Sequence, residues 1–93
     1  MTQQVAVITG AAQGIGRRTA ELLAEQGYKL AVIDLRQPEE LVTAIEKKGG
    51  EIFAYAGNIA DESVVAAFAE AVFQRYSRAD VLVNNMQAKA NYG

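Results

Sequence analysis

The chain has 93 residues, of which 51% are hydrophobic and 22% charged, with a net charge of -2. That is enough apolar material for one small packed domain and too much for a disordered chain; its charges are mixed in sign, with no basic block or aromatic-basic stripe for nucleic acid. Cysteine and histidine are both absent, which excludes disulfides and thiolate metal sites and removes the commonest general base and the commonest metal ligand.

The first apolar run, Val5-Ala6-Val7-Ile8, reads as a buried strand. It leads straight into Thr9-Gly10-Ala11-Ala12-Gln13-Gly14-Ile15-Gly16. Gly10 suits a tight turn, Gly14 lets a ligand approach the main chain, and Gly16 lets the next helix pack near the strand. Helix N–H groups and the positive dipole end would then face an anion such as a phosphate. A helix is predicted over residues 14–27, with Ile15, Thr19, Leu22, Leu23 and Gln26 on one face and Gly27 at its stop. The second strand, residues 30–33, closes on Asp34. Taken singly, the glycine turn is also what an ordinary strand-to-helix connection looks like, and Asp34 could be a solvated turn residue. Together they have the order of a βαβ dinucleotide site, where an acid about 20 residues past the glycines binds the adenosine ribose. A carboxylate there repels a 2′-phosphate, which favours NAD over NADP.

A second helix is predicted from Pro38, with Glu39 and Glu40 in its first turn, Leu41, Val42 and Ile45 on its apolar side, and Gly49-Gly50 as its stop. The third strand is Ile52-Phe53-Ala54-Tyr55-Ala56. The third helix begins at Asp61 as N-cap and carries an apolar stripe of Val64, Val65, Phe68, Val72, Phe73 and Tyr76. The fourth strand is residues 81–83, followed by Asn84-Asn85. Apolar runs without polar alternation suit strands covered on both faces. Alternating strands and helices imply an α/β fold with a parallel sheet, right-handed crossovers, strand order 3-2-1-4 and helices on both faces. The ligand crevice is expected at the carboxyl ends of the first and fourth strands, where the order reverses. No linker or repeat divides the chain, so residues 1–93 are expected to form one domain. No apolar run approaches the roughly 20 residues of a membrane span, and Met-Thr-Gln-Gln does not begin a secretory signal, so a soluble cytoplasmic protein is expected.

These residues resemble the short-chain dehydrogenase/reductase family. The segment 9–16 matches its TGxxxGIG signature, Asp34 its acid in NAD-preferring members, Gly57-Asn58-Ile59-Ala60-Asp61 its D-V/I-x-D stretch, and Val81-Leu82-Val83-Asn84-Asn85 its fourth strand and the start of its NNAG motif. The resemblance covers residues 5–85 and implies a three-layer αβα Rossmann-like fold, truncated relative to the family. It implies that Gly10, Gly14, Ile15 and Gly16 line the pyrophosphate while Thr9 braces the loop. Asp34 would bind the ribose, Leu35 would lie near the adenine edge, and Asn58 and the Ile59 backbone would meet the adenine. Asn84 would hold the sheet together through backbone hydrogen bonds, with Asn85 beside the cofactor. Gln13 is neutral where NADP-preferring members carry a basic residue, which again points to NAD, although Arg36 offers a charge to a 2′-phosphate.

Three departures from the pattern stand out. Asn58 replaces an Asp, Met86 a smaller alanine, and Gln87 a glycine. The family's catalytic Ser and Tyr-x-x-x-Lys pair are not complete: Tyr28, Tyr55 and Tyr76 have Val32, Ile59 and Asp80 four residues on. The segment Ala90-Asn91-Tyr92-Gly93 resembles the surroundings of the family tyrosine, which makes Tyr92 its one candidate. The implied activity is hydride exchange between a nicotinamide dinucleotide and a small alcohol or carbonyl substrate in a longer parent, with this chain its cofactor-binding part and inactive alone. The alternative is a non-catalytic nucleotide-binding or self-assembling half-domain, because an open sheet edge at the fourth strand invites a second copy. A methyltransferase, which also pairs a glycine loop with a strand-2 acid, is disfavoured by the spacing of residues 9–16.

Overall fold

The structure, a computed structural model, describes residues 3–11 and 14–85. Strands and helices alternate as β1 (Val5–Thr9), α1 (Gly14–Glu25), β2 (Lys29–Asp34), α2 (Glu39–Lys47), β3 (Ile52–Ala56), α3 (Glu62–Tyr76) and β4 (Val81–Asn84). The strands form one parallel sheet in the order β3-β2-β1-β4, as the alternating pattern implies. Successive side chains of each strand point to opposite faces, so the covered stretches of the central strands, residues 5–8 and 30–33, are apolar at successive positions. In β2, Leu30 and Val32 pack with Ala20, Leu41 and Ile45 under α1 and α2. Ala31 and Ile33 pack with Phe68 and Val72 under α3. Helices therefore cover both faces in three layers.

Local chemistry sets the helix ends. At the end of α1, Tyr28 N–H donates to Leu23 O at 3.1 Å and Gly27 N–H to Ala24 O at 3.0 Å. The end of α2 repeats the arrangement, with Gly50 N–H on Ile45 O at 2.9 Å and Gly49 N–H on Glu46 O at 3.0 Å. These paired bonds satisfy carbonyls that a helix terminus leaves without partners. Asp61 caps α3: its Oδ1 accepts from Ser63 N–H at 2.9 Å and from Ser63 Oγ at 2.7 Å. Pro38 lies just outside α2, in the N-cap position rather than the first turn, and supplies no side-chain cap.

Two predicted helix faces are corrected by the packing. In α1 the buried residues are Gly16 and Ala20, with Leu23 and Ala24 beside them, whereas Ile15 is 76% exposed and Leu22 42%. Small residues bring α1 close to the sheet, so the packed face turns away from the bulkier side chains. In α3, Phe68 and Val72 are buried, but Val65 and Phe73 stand out at 39% and 66% exposure. Phe53, Tyr55 and Phe68 fill the β3 side of that layer, with Phe53 and Phe68 stacked at 6.4 Å. Nothing among the described residues covers the β4 side, where Leu82 is 70% exposed. No described helix is long and apolar enough to cross a membrane.

Asp80 ties the start of β4 to β1. Its Oδ2 accepts from Val5 N–H at 2.8 Å, and its backbone N–H donates to Val5 O at 2.8 Å. Arg78 grips the same carboxylate through Nε and Nη2, both at 2.8 Å. The Arg78 hydrogen bond first, and the Val5 amide second, hold the Asp80 carboxyl below its usual range. A carboxylate lowered in the folded state stabilises fully above the unfolded value of about 4, and that contribution is lost as pH falls through the lowered value. Asp80→Asn is therefore expected to melt lower than the parent at pH 7 but to lose less on acidification to pH 3. Thermal melts at the two pH values check this, and equal acid losses in both proteins would exclude the role.

Candidate functional site

The glycine turn is built where β1 hands the chain to α1. Gly10 N–H donates to Ile33 O at 2.9 Å, which anchors the turn to the end of β2. Gly10 and Gly14 have left-handed backbones, with φ of 69° and 64°. A Cβ on Gly14 would meet none of the described residues within 4 Å. A Cβ on Gly16 would lie 2.0 Å from Gly10 O and 2.8 Å from Asn85 Nδ2. The helix thus starts in direct backbone contact with the turn. Its first turn carries no acidic residue, and its N-terminal N–H groups and dipole present positive potential to the opening. A left-handed glycine at the start of a helix, with no carboxylate competing there, fits a phosphate group.

The asparagines after β4 brace this turn from the other side. Thr9 and Asn84 are register partners, and Thr9 Oγ1 donates to Asn84 Oδ1 at 2.9 Å. Asn85 N–H donates to Thr9 Oγ1 at 2.8 Å, and Asn85 Nδ2 to Gly10 O at 3.3 Å. Asn84 is thus held to β1 by its place in the ladder and by its side chain together. Thr9, the hub of this cluster, is 5% exposed, whereas Asn85 is half-buried and Asn84 exposed. Its partners are 75 or 76 residues apart in sequence.

Asp34 ends β2, with Oδ1 accepting from Leu35 N–H at 2.6 Å and its carbonyl from Gly57 N–H at 2.9 Å. Leu35 is 61% exposed beside it. Beyond β3, Asn58 Oδ1 accepts from Ala60 N–H at 2.9 Å, a local turn that carries the chain into α3. Ile59 follows, half-buried. The ends of β1, β2, β3 and β4 thus gather Thr9, Gly10, Gly14, Gly16, Asp34, Asn58 and Asn85 along one sheet edge. Gln13, Met86, Gln87 and Tyr92 lie outside the described residues.

Sequence reasoning missed Asp80 as the residue that positions β4, and with it Asn84 and Asn85. An acid immediately before an apolar strand that ends in Asn-Asn was the available signal. The apolar groove beside the site was missed as well. It has a volume of about 440 Å3, runs between α3 and β4, is walled by Val7, Phe68 and Leu82, and reaches Thr9 and Asn84.

Proton-transfer chemistry finds little support among the described residues. Tyr76 Oη donates to Leu30 O at 3.2 Å, at the start of β2 and therefore at the opposite end of the sheet from the glycine turn. Burial chiefly pushes its phenol above the usual value, which keeps the proton on. No group of three or more Asp or Glu that could hold a metal occurs among the described residues.

Comparison with known proteins agrees with this arrangement. The profile of the short chain dehydrogenase family matches residues 4–91. A 3-oxoacyl-[acyl-carrier-protein] reductase from Staphylococcus aureus is 42% identical over 83 residues, which is 86% of this chain and 34% of the reductase. The crystal structure of a short chain dehydrogenase/reductase from Burkholderia phymatum in complex with NAD superposes with a TM-score of 0.83 at 30% identity, over 87% of this chain and 30% of that one. A metagenomic short-chain oxidoreductase in complex with NADP superposes at 0.81 with 35% identity, over 95% and 41% of the two chains. The chain spans about a third of the length of the curated relatives it matches.

Proposed function

The chain belongs to the short chain dehydrogenase family, and from that premise we propose that it is the dinucleotide-binding part of an oxidoreductase that moves hydride between a nicotinamide cofactor and an alcohol or carbonyl. The observation that carries the reading is Gly16 packed on Gly10 O at the mouth of β1, with no described residue within 4 Å of a Cβ on Gly14 at the start of α1. Gly10, Gly14, Ile15 and Gly16 would hold the pyrophosphate, with Gln13 beside them and Thr9, Asn84 and Asn85 keeping the turn rigid. Asp34 would take the adenosine ribose hydroxyls, and Leu35, Asn58 and Ile59 would border the base. The nicotinamide, when bound, supplies the hydride acceptor or donor. The described residues bind and orient; none is placed to move the substrate proton, and Tyr92 remains the candidate for that role.

Asp34 supports NAD as the preferred cofactor, because a carboxylate at the ribose repels a 2′-phosphate. Arg36, exposed two residues on, keeps NADP binding weak rather than absent.

Calorimetric titration with NAD, NADP and AMP tests the proposal. NAD and AMP are expected to bind with similar affinity, because the described residues reach the adenosine half, and NADP more weakly. Binding by none of the three would overturn it. A second reading, self-association through the β4 edge, is favoured by one observation: the exposed Leu82 and Phe73 beside the open groove. Sedimentation of the same samples distinguishes it, since a dimer that binds no nucleotide belongs to that reading alone.

A further inference from the structure

We propose that two copies of this chain associate through the flank of α3 that borders the groove beside β4, as a weak two-fold dimer. The contact is a helix flank rather than the β4 edge, and it depends on neither reading of the nucleotide site.

The helices set the two faces of the sheet apart. Outward sides of α1 and α2 are charged, and their charges pair: Arg17 with Glu40 at 3.0 Å, Glu25 with Lys48 at 3.9 Å. Sides of that kind face water. On α3, Glu70 is the only charged residue between Glu62 and Arg75. Phe68 and Val72 make its buried side, yet Val65, Ala66, Ala69 and Phe73 are exposed. A helix that is apolar on more than one side belongs in a place where more than one side is covered. Val65, Ala69 and Phe73 follow at intervals of four residues and so share one flank. With Leu82 they wall the groove.

The surface suits a second copy of itself. A two-fold axis brings identical patches together, so such a patch must be complementary to itself. Here an exposed ring, Phe73, stands beside the cleft that it helps to wall, and each copy offers a ring to the cleft of the other. Ala69 lies at the middle of the row, where a small side chain lets two helices approach at the axis. A charge beside that axis would meet its own equal. Among the described residues that line the groove only Arg78 is charged, and Asp80 holds it through Nε and Nη2, both at 2.8 Å.

The extent of the patch decides the strength. The 15 residues of α3 are about 22 Å long, and a helix flank with the groove next to it is about 20 Å across. Two such footprints bury about 900 Å2, less than the roughly 1,200 Å2 of a stable interface. The dimer is therefore reversible and depends on concentration.

Sedimentation from low micromolar to millimolar concentration tests the dimer, and engineered thiols locate it. The chain has no cysteine, so an added thiol can pair only with its copy. Ala69→Cys is expected to give a disulfide-linked dimer on mild oxidation. Ala67→Cys, exposed two residues away and so on the far side of the helix, is expected to stay monomeric. Phe73→Glu is expected to weaken the dimer at least about tenfold and to suppress the Ala69→Cys cross-link. The ring that it removes is exposed, so the melting temperature of the dilute protein stays unchanged. Leu22→Glu, on the other face of the sheet, is expected to alter neither result. A monomer at every concentration overturns this contact and pairing at the β4 edge together. A dimer that Phe73→Glu does not weaken, or that Ala69→Cys does not cross-link, overturns this contact and leaves the edge pairing standing.

Discussion

Gly16→Ala is expected to lower the melting temperature by roughly 12–24 °C, the equivalent of about 3 kcal/mol in a domain of this size. The added methyl would lie 2.0 Å from Gly10 O, a backbone atom whose turn is anchored to Ile33 O. Relief requires α1 to lift from the sheet, which would open the contact of Ala20 with the buried cluster under α1 and α2. Asn85 Nδ2, which donates to the same Gly10 oxygen, would be displaced as well. Gly14→Ala is the matched control. Its methyl meets none of the described residues, and the cost expected is that of the left-handed backbone, about 1–2 kcal/mol. A non-glycine residue already adopts that conformation elsewhere in the fold, Ser77 at φ 62°. Thermal melts of the two variants side by side decide the matter: equal losses would mean that close packing at Gly16 is not what fixes the start of the helix.

The second large effect concerns selectivity. Asp34→Ala is expected to weaken NAD by roughly ten- to hundredfold, the worth of hydrogen bonds to a charged group. NADP is expected to be unaffected or to improve, because the repulsion of its 2′-phosphate is removed. The ratio between the two cofactors should then collapse. The backbone supports the interpretation: Asp34 O still accepts from Gly57 N–H in the variant, so β2 and β3 stay joined. The lost Asp34 Oδ1 bond to Leu35 N–H is local to the turn. Titration of both dinucleotides into parent and variant measures the ratio, and an unchanged ratio would remove Asp34 from the ribose site.

Chemistry that is local along the chain was readable without coordinates. Asp61 is the N-cap of α3, Gly27 and Gly49 follow the ends of α1 and α2, and the residues 52–56 are a strand, because caps and runs are decided within a few neighbours. Side-chain periodicity was a weaker guide. It gives the angular spacing of residues around a helix, yet not which side of that helix meets the sheet. Hence periodicity groups Ile15 and Leu22 with the packed side of α1, and Val65 and Phe73 with the core, although all four are exposed.

The sequence alone determined the order of strands and helices, the parallel sheet and the family, because continuous apolar runs and a glycine turn at a fixed distance from an acid are properties of the chain's own spacing. The tertiary structure decided everything that depends on atoms distant in sequence. It joined Thr9 to Asn84 and Asn85, set Asp80 against Val5, and put Gly16 against Gly10. The physical reason is common to these cases: a residue's type states which hydrogen bonds and contacts it can make, and only the fold determines which partners come within reach.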